Sequence, residues 1–146
     1  MEHEQPVVGS GLTGKRLLIV EDDWLLQNLI STKLAPLREK GVLVDAAFDG
    51  PKAMEMAKAH RPDAILLDIM LPGMTGFEFL ETIQKEIPTF KDVPVIVFTN
   101  LNGDEDRDQA QKLGVREFMY KADSTPGEIV EKLEALLRED EKSATS

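Results

Sequence analysis

Cysteine is absent from this 146-residue chain, which excludes disulfides and thiolate metal sites. Histidine is nearly absent. His3 and His60 are too few for a His-rich zinc site, and both read as solvated side chains, not as phosphotransfer donors. Basic residues are the minority: 17 Lys and Arg stand against 27 Asp and Glu, a net charge of −10. Nucleic-acid backbones and anionic membrane surfaces are bound by clustered Lys and Arg, so neither is expected as a direct partner. No apolar run approaches the ~20 residues that span a bilayer. The N-terminus lacks the apolar stretch of a signal peptide, and the expected location is the cytoplasm. What remains is 42% hydrophobic and 30% charged, ordinary for a globular protein. The length suits one domain, which would bury roughly 70% of its unfolded surface around a single core.

Residues 1–14, MEHEQPVVGSGLTG, show no hydrophobic period and are expected to be a flexible tail. Residues 141–146 are expected to be a second tail, leaving one domain over 15–140. Five short apolar runs read as strands: Arg16–Val20, Val42–Ala47, Ala64–Leu67, Pro94–Phe98 and Val115–Tyr120. Between them apolar residues recur at helical spacing. Trp24–Lys40 carries Leu25, Leu26, Leu29, Ile30 and Leu34, with Pro36 predicting a kink or an early stop. Lys52–Ala59 follows Gly50-Pro51, and Gly76–Ile87 is stopped by Pro88. Asp104–Leu113 is closed by Gly114, and Pro126–Arg138 has its proline in the first turn. Strands alternating with helices predict an α/β fold, one parallel sheet with helices on both faces. Several runs are apolar throughout, as doubly buried parallel strands are.

In such sheets the functional crevice lies beyond the carboxyl ends of the strands. Those positions hold Glu21, Asp22 and Asp23, then Asp68, then Thr99 and Asn100, and finally Lys121. If the sheet forms, Glu21, Asp22 and Asp68 converge. Gathered carboxylates repel and call for a counter-charge, and a hard dication such as magnesium, bound by oxygen, is the natural one. Lys121 adds a mobile ammonium and Thr99 a hydroxyl donor. The set suits phosphoryl transfer onto Asp68, a chemistry of positioning and charge neutralisation. Alternatives stand beside this. Asp22 or Asp23 is as readily a helix cap, a lone strand-end Asp is usually a turn former, and a lone Lys is usually solvated.

LLIVEDD, ILLDIMLPGMTGFEFL, PVIVFTN and GVREFMYKAD resemble the four signature blocks of the response-regulator receiver domain. The resemblance covers about residues 15–140, and order, spacing and flanks match together, with Met70, Leu71, Pro72, Gly73 and Gly76 trailing Asp68. It implies a doubly wound (βα)5, flavodoxin-like sandwich of the stand-alone, chemotaxis-regulator type. It implies that Asp68 takes a phosphoryl group from a histidine kinase or phosphotransfer protein. Mg2+ would be held by Glu21, Asp22, Asp68 and the backbone carbonyl of Met70, with Asp22 the more direct of the first pair. Thr99 and Lys121 would bind the phosphoryl oxygens. The implied switch pulls the Thr99 hydroxyl inward and lets Phe118 swing after it. That would alter a partner face built from residues 104–138, a two-state element biased by one new charge. For Phe118 the plain alternative is an ordinary core aromatic.

Three positions depart from the commonest family pattern. Lys121 is followed by Ala122 where the family usually has proline after a cis bond, and a cis bond before Ala costs about 2.5–4 kcal/mol. Asn100 is larger than the usual small residue, so it gates access or hydrogen-bonds the phosphoryl group. Met70 and Leu101 occupy the positions that tune dephosphorylation, and neither orients a water, so slow dephosphorylation is expected.

Two imitations fail. Gly9–Lys15 nearly spells a P-loop, but Arg16 follows the lysine and the strand comes after the loop. Asp104, Asp106 and Asp108 imitate a calcium loop, but Gln109 and Val115 stand where Gly and Glu are needed. Two rival readings remain: a degenerate receiver serving as a constitutive docking or dimerisation module, and a turnover phosphatase, which lacks a second acid. The chain is thus expected not to be an enzyme, with homodimerisation left open. No output domain is expected in the short tails, and a larger parent protein stays open.

Overall fold

The computed structural model describes residues 11–145, with side chains described over 11–139; the expected tail over 1–10 and Ser146 lie outside the described residues. Five strands form one sheet: β1 (Arg16–Val20), β2 (Leu43–Ala47), β3 (Ala64–Leu67), β4 (Val95–Thr99) and β5 (Glu117–Tyr120). Every neighbouring pair is parallel, in the order β2-β1-β3-β4-β5. The connections carry α1 (Trp24–Lys33), α2 (Ala35–Glu39), α3 (Gly50–Ala59), α4 (Gly76–Glu86), α5 (Asp104–Lys112) and α6 (Pro126–Thr145). Short 3-10 turns occupy Pro88–Asp92 and Lys121–Asp123. This is the doubly wound α/β sandwich that the alternating pattern predicts.

The period of two along each strand sorts the core into two layers. Leu17, Ile19, Ala64, Leu66, Ile96 and Phe98 point to one face, against Ile30 of α1, Leu37 of α2 and Ile129, Leu133 and Leu137 of α6. Leu18, Val20, Ile65, Leu67 and Val95 point to the other, against Ala53 and Ala57 of α3 and Phe79, Leu80 and Ile83 of α4. Both faces are covered, so β3 and β4 are buried at every position.

The structure departs from expectation mainly at element ends. The segment 24–40 is two helices broken at Leu34, because Pro36 has no N–H and settles in the first turn of α2. β5 starts at Glu117, two residues late, since the Val115 N–H is taken by Ala110 O in closing α5. Residues 11–14 do not hang free: Leu12 is fully buried in the core, and the Gly14 N–H donates to Gly41 O at 2.9 Å. α6 runs on to Thr145, past Arg138 and across the segment 141–145 where a tail is expected. Among the described residues no helix is long and apolar enough to cross a membrane.

Candidate functional site

β1 is the strand at which the chain order reverses, with β2 on one side and β3 on the other. A crevice opens at the carboxyl ends of strands flanking such a point. Register places the acids there. Val20 pairs with Leu67, so the residues that follow, Glu21 and Asp68, emerge side by side, and the Asp68 N–H donates to Val20 O at 3.0 Å. Thr99 ends β4 opposite Tyr120 of β5, which brings Lys121 to the same rim.

One carboxylate oxygen from each of Glu21, Asp22 and Asp68 lies within 4.8 Å of the others, the one such acidic group among the described residues. Glu21 and Asp68 are buried, at 2% and 4% exposure, while Asp22 faces solvent. Asp23 takes the helix cap: its carboxylate accepts the Leu26 N–H at 3.1 Å, which leaves Asp22 to the cluster. Lys121 Nζ stands 2.8 Å from Asp68 Oδ2 and 2.8 Å from Glu21 Oε1. Asp68 Oδ1 accepts the Met70 N–H at 3.1 Å, and Glu21 Oε2 accepts the Asp23 N–H at 2.9 Å.

One ammonium therefore serves two buried carboxylates, with a third beside them. Burial pushes the Glu21 carboxyl up to about 7, the Asp68 charge adding to the rise and Lys121 and the Asp23 N–H opposing it. Burial alone would lower the Lys121 ammonium, but hydrogen bonds to Asp68 and Glu21 outweigh it, and its net shift is upward. With all groups ionised, three carboxylates against one ammonium leave a surplus of two negative charges. The donors are hard oxygens at close spacing, with a solvent face at Asp22 for water ligands. That combination fits a hard dication such as Mg2+.

The loop after Asp68 is anchored at its far end by a helix cap. Thr75 and Glu78 form a reciprocal cap on α4, with Glu78 N–H donating to Thr75 Oγ1 at 3.1 Å and Thr75 N–H to Glu78 Oε1 at 2.9 Å. Gly76 lies so close to the Asp68 backbone that a Cβ there would sit 2.4 Å from Asp68 O.

The remaining sequence-predicted residues divide. Thr99 is fully buried, and its hydroxyl accepts the Leu101 N–H at 3.3 Å. Asn100 is exposed beside it, and Met70 is 54% exposed. Phe118 is half-buried in β5, with the Arg107 guanidinium of α5 over its ring at 4.6 Å. Arg107 is itself tied to Asn102 Oδ1, Nη2 donating at 2.6 Å. No peptide bond among the described residues is cis, so Lys121-Ala122 is trans, and Lys121 reaches Asp68 from it. Two residues near the site carry no signal that spacing reveals: Arg107, and Gln27, whose buried amide lies against the strand ends.

Among known proteins, residues 17–134 match the family model described as response regulator receiver domain. A probable transcriptional regulator, ycf27, of Guillardia theta is 32% identical over 134 residues, 92% of this chain and 50% of its own. The response regulator PleD of Caulobacter vibrioides is 39% identical over 106 residues, 73% of this chain and 22% of its own. The chain thus spans half or less of the length of these curated relatives. Among solved structures, a CheY-like response regulator receiver domain protein of Methanospirillum hungatei superposes with a TM-score of 0.76. It shares 27% identity, over 88% of this chain and 98% of that one. The Vibrio cholerae chemotaxis protein CheY4 superposes at 0.72 with 25% identity, over 84% and 98%.

Proposed function

This chain belongs to the response regulator receiver domain family, a signalling module of two-component systems and not an enzyme, and from that premise we propose that Asp68 is its phosphoacceptor. The observation that carries the reading is the meeting of Glu21, Asp22, Asp68 and Lys121 at one rim. In the proposed reaction a carboxylate oxygen of Asp68 attacks the phosphorus of a phosphohistidine on a histidine kinase or phosphotransfer protein. The new bond is an acyl phosphate, and the broken P–N bond returns its electron pair to the imidazole.

Glu21, Asp22, Asp68 and the Met70 carbonyl would hold Mg2+, which when bound neutralises charge on the transferring phosphoryl oxygens. Lys121, already within hydrogen-bond reach of Asp68, would pass one of its donors to a phosphoryl oxygen. Asn100, exposed at the mouth, would meet the same group or gate its donor. The Thr99 hydroxyl now serves the Leu101 N–H, and turning toward the phosphoryl group would release that bond. Phe118 would follow toward the vacated space, leaving the ring's contact with Arg107. The face over residues 104–138 would thereby change its affinity for a downstream protein target. The excess of acid argues for a protein and against direct contact with nucleic acid or a membrane surface, and the reading places the chain in the cytoplasm.

The test is incubation with acetyl phosphate and Mg2+, followed by intact mass. Wild type should gain one phosphoryl group, and Asp68→Asn and EDTA-treated protein should gain none. A wild type without the gain would favour a constitutive docking module, and an Asp68→Asn variant with it would move the acceptor elsewhere.

A further inference from the structure

Gln27 lies on α1 and is 3% exposed. A buried primary amide needs partners for its two N–H donors. Three backbone carbonyls surround its Nε2: Ile19 O at 3.4 Å, Glu21 O at 3.3 Å and Ala47 O at 3.3 Å. An amide oxygen in that position would face three oxygens, so the nitrogen must occupy it.

These carbonyls mark the ends of β1 and β2, and one belongs to Glu21 itself. The Glu21 N–H donates to Ala47 O at 3.0 Å, so its peptide groups are held on both sides, the carbonyl by Gln27. The backbone N–H of Gln27 donates to Asp23 O at 2.9 Å, and the Asp23 N–H donates to Glu21 Oε2. One residue thus ties α1 to both ends of the segment that carries two of the three clustered acids.

We infer that Gln27 is a positioning residue for the cation site: its buried amide clamps the Glu21–Asp23 backbone so that Glu21 and Asp22 face Asp68. The inference rests on the reading that a divalent cation binds there. Magnesium demands near-ideal octahedral geometry, so a loosened ligand segment loses affinity. Removing a group that orients ligands typically weakens metal binding about 10–100-fold.

Gln84 supplies a matched control. It is also a buried amide, at 8% exposure, and its Nε2 donates to Leu113 O at 3.1 Å, away from the acids. Gln27→Met and Gln84→Met each remove a buried donor while keeping the side-chain length. Mg2+ titrations followed by Trp24 fluorescence should show Kd raised at least about tenfold in Gln27→Met and unchanged in Gln84→Met. Amide hydrogen exchange at Asp23, measured without metal, should speed up in Gln27→Met alone. Should Gln27→Met not fold, Gln27→Asn, whose amide falls one methylene short, should give the same ordering.

An unchanged Kd in the folded Gln27 variant overturns the inference, as does an equal loss in Gln84→Met. A wild type that gives no Mg2+ response refutes the metal reading itself and the inference with it. Exchange at Asp23 would still then show whether the clamp exists.

Discussion

Lowering the pH from 8 to 6 should weaken Mg2+ binding about tenfold, through Glu21. Its carboxyl is pushed up to about 7 by burial, with the Asp68 charge adding to the rise, and the Lys121 ammonium that it shares with Asp68 only partly offsets this. A dication requires the ionised form. With a midpoint near 7, Glu21 is about nine-tenths ionised at pH 8 and about one-tenth at pH 6, and apparent affinity follows that ratio. Metal-free stability runs in the opposite direction. The folded value lies above the reference of 4.5, so the folded state holds this proton more tightly than the unfolded chain does. That stabilisation is complete below about 4.5 and is lost as pH rises through about 7, over a span of roughly 3 kcal/mol. Trp24 opens α1 two residues after Asp22 and is 67% exposed, so its fluorescence can follow the titration at each pH. Calorimetry in two buffers of different ionisation enthalpy should count about one proton released at pH 6. Glu21→Gln should remove most of the pH dependence. A wild-type Kd that stays constant from pH 8 to 6 would refute the reasoning, because Glu21 would already be ionised before the metal arrives.

Three further outcomes follow from particular contacts. Gly76→Ala should lower stability by about 2–4 kcal/mol in urea unfolding, because the new Cβ would lie 2.4 Å from Asp68 O and 2.9 Å from Ile69 Cα; a wild-type midpoint would show that the loop yields. Arg107→Ala removes the cation from the Phe118 ring and should raise the population of the inward ring about two- to fivefold. NMR of the ring protons, compared with the phosphorylated protein, reads that shift, and unchanged spectra would remove Arg107 from the switch. The double variant Met70→Asn, Leu101→Glu should lose its phosphoryl group faster than wild type, since both substitutions add groups able to orient water; equal rates would dispose of the slow-decay expectation.

The local record of the sequence was enough for the strands, the helices and the gathering of acids at the strand ends. LLIV, AILL and VIVF are apolar throughout because both faces of the sheet are covered, and each lies in a strand. Glu21, Asp22 and Asp68 read as a group because βα alternation brings strand ends to one rim. Boundaries were less legible, for a stated reason each time. Leu12 looks like part of a Gly-rich tail, and only its burial in the core layer that also holds Leu34, Leu37 and Val42 makes it core. The end of α6 beyond Arg138 has no apolar period to announce it.

What depended on the third dimension is how charge is shared and how the site is held. Spacing allowed Asp22 or Asp23 to cap α1, and the backbone at Asp23 decided between them. Lys121 announces a cation near Asp68 but not that it divides itself between Asp68 and Glu21, which follows from strands of distant sequence lying next to one another. Gln27 is one polar residue on an amphipathic helix until Ile19, Glu21 and Ala47 turn their carbonyls toward it. Residue type and period are local properties and survive in the linear chain. Desolvation, shared counter-charge and hydrogen bonds between distant segments exist only once the chain has folded back on itself.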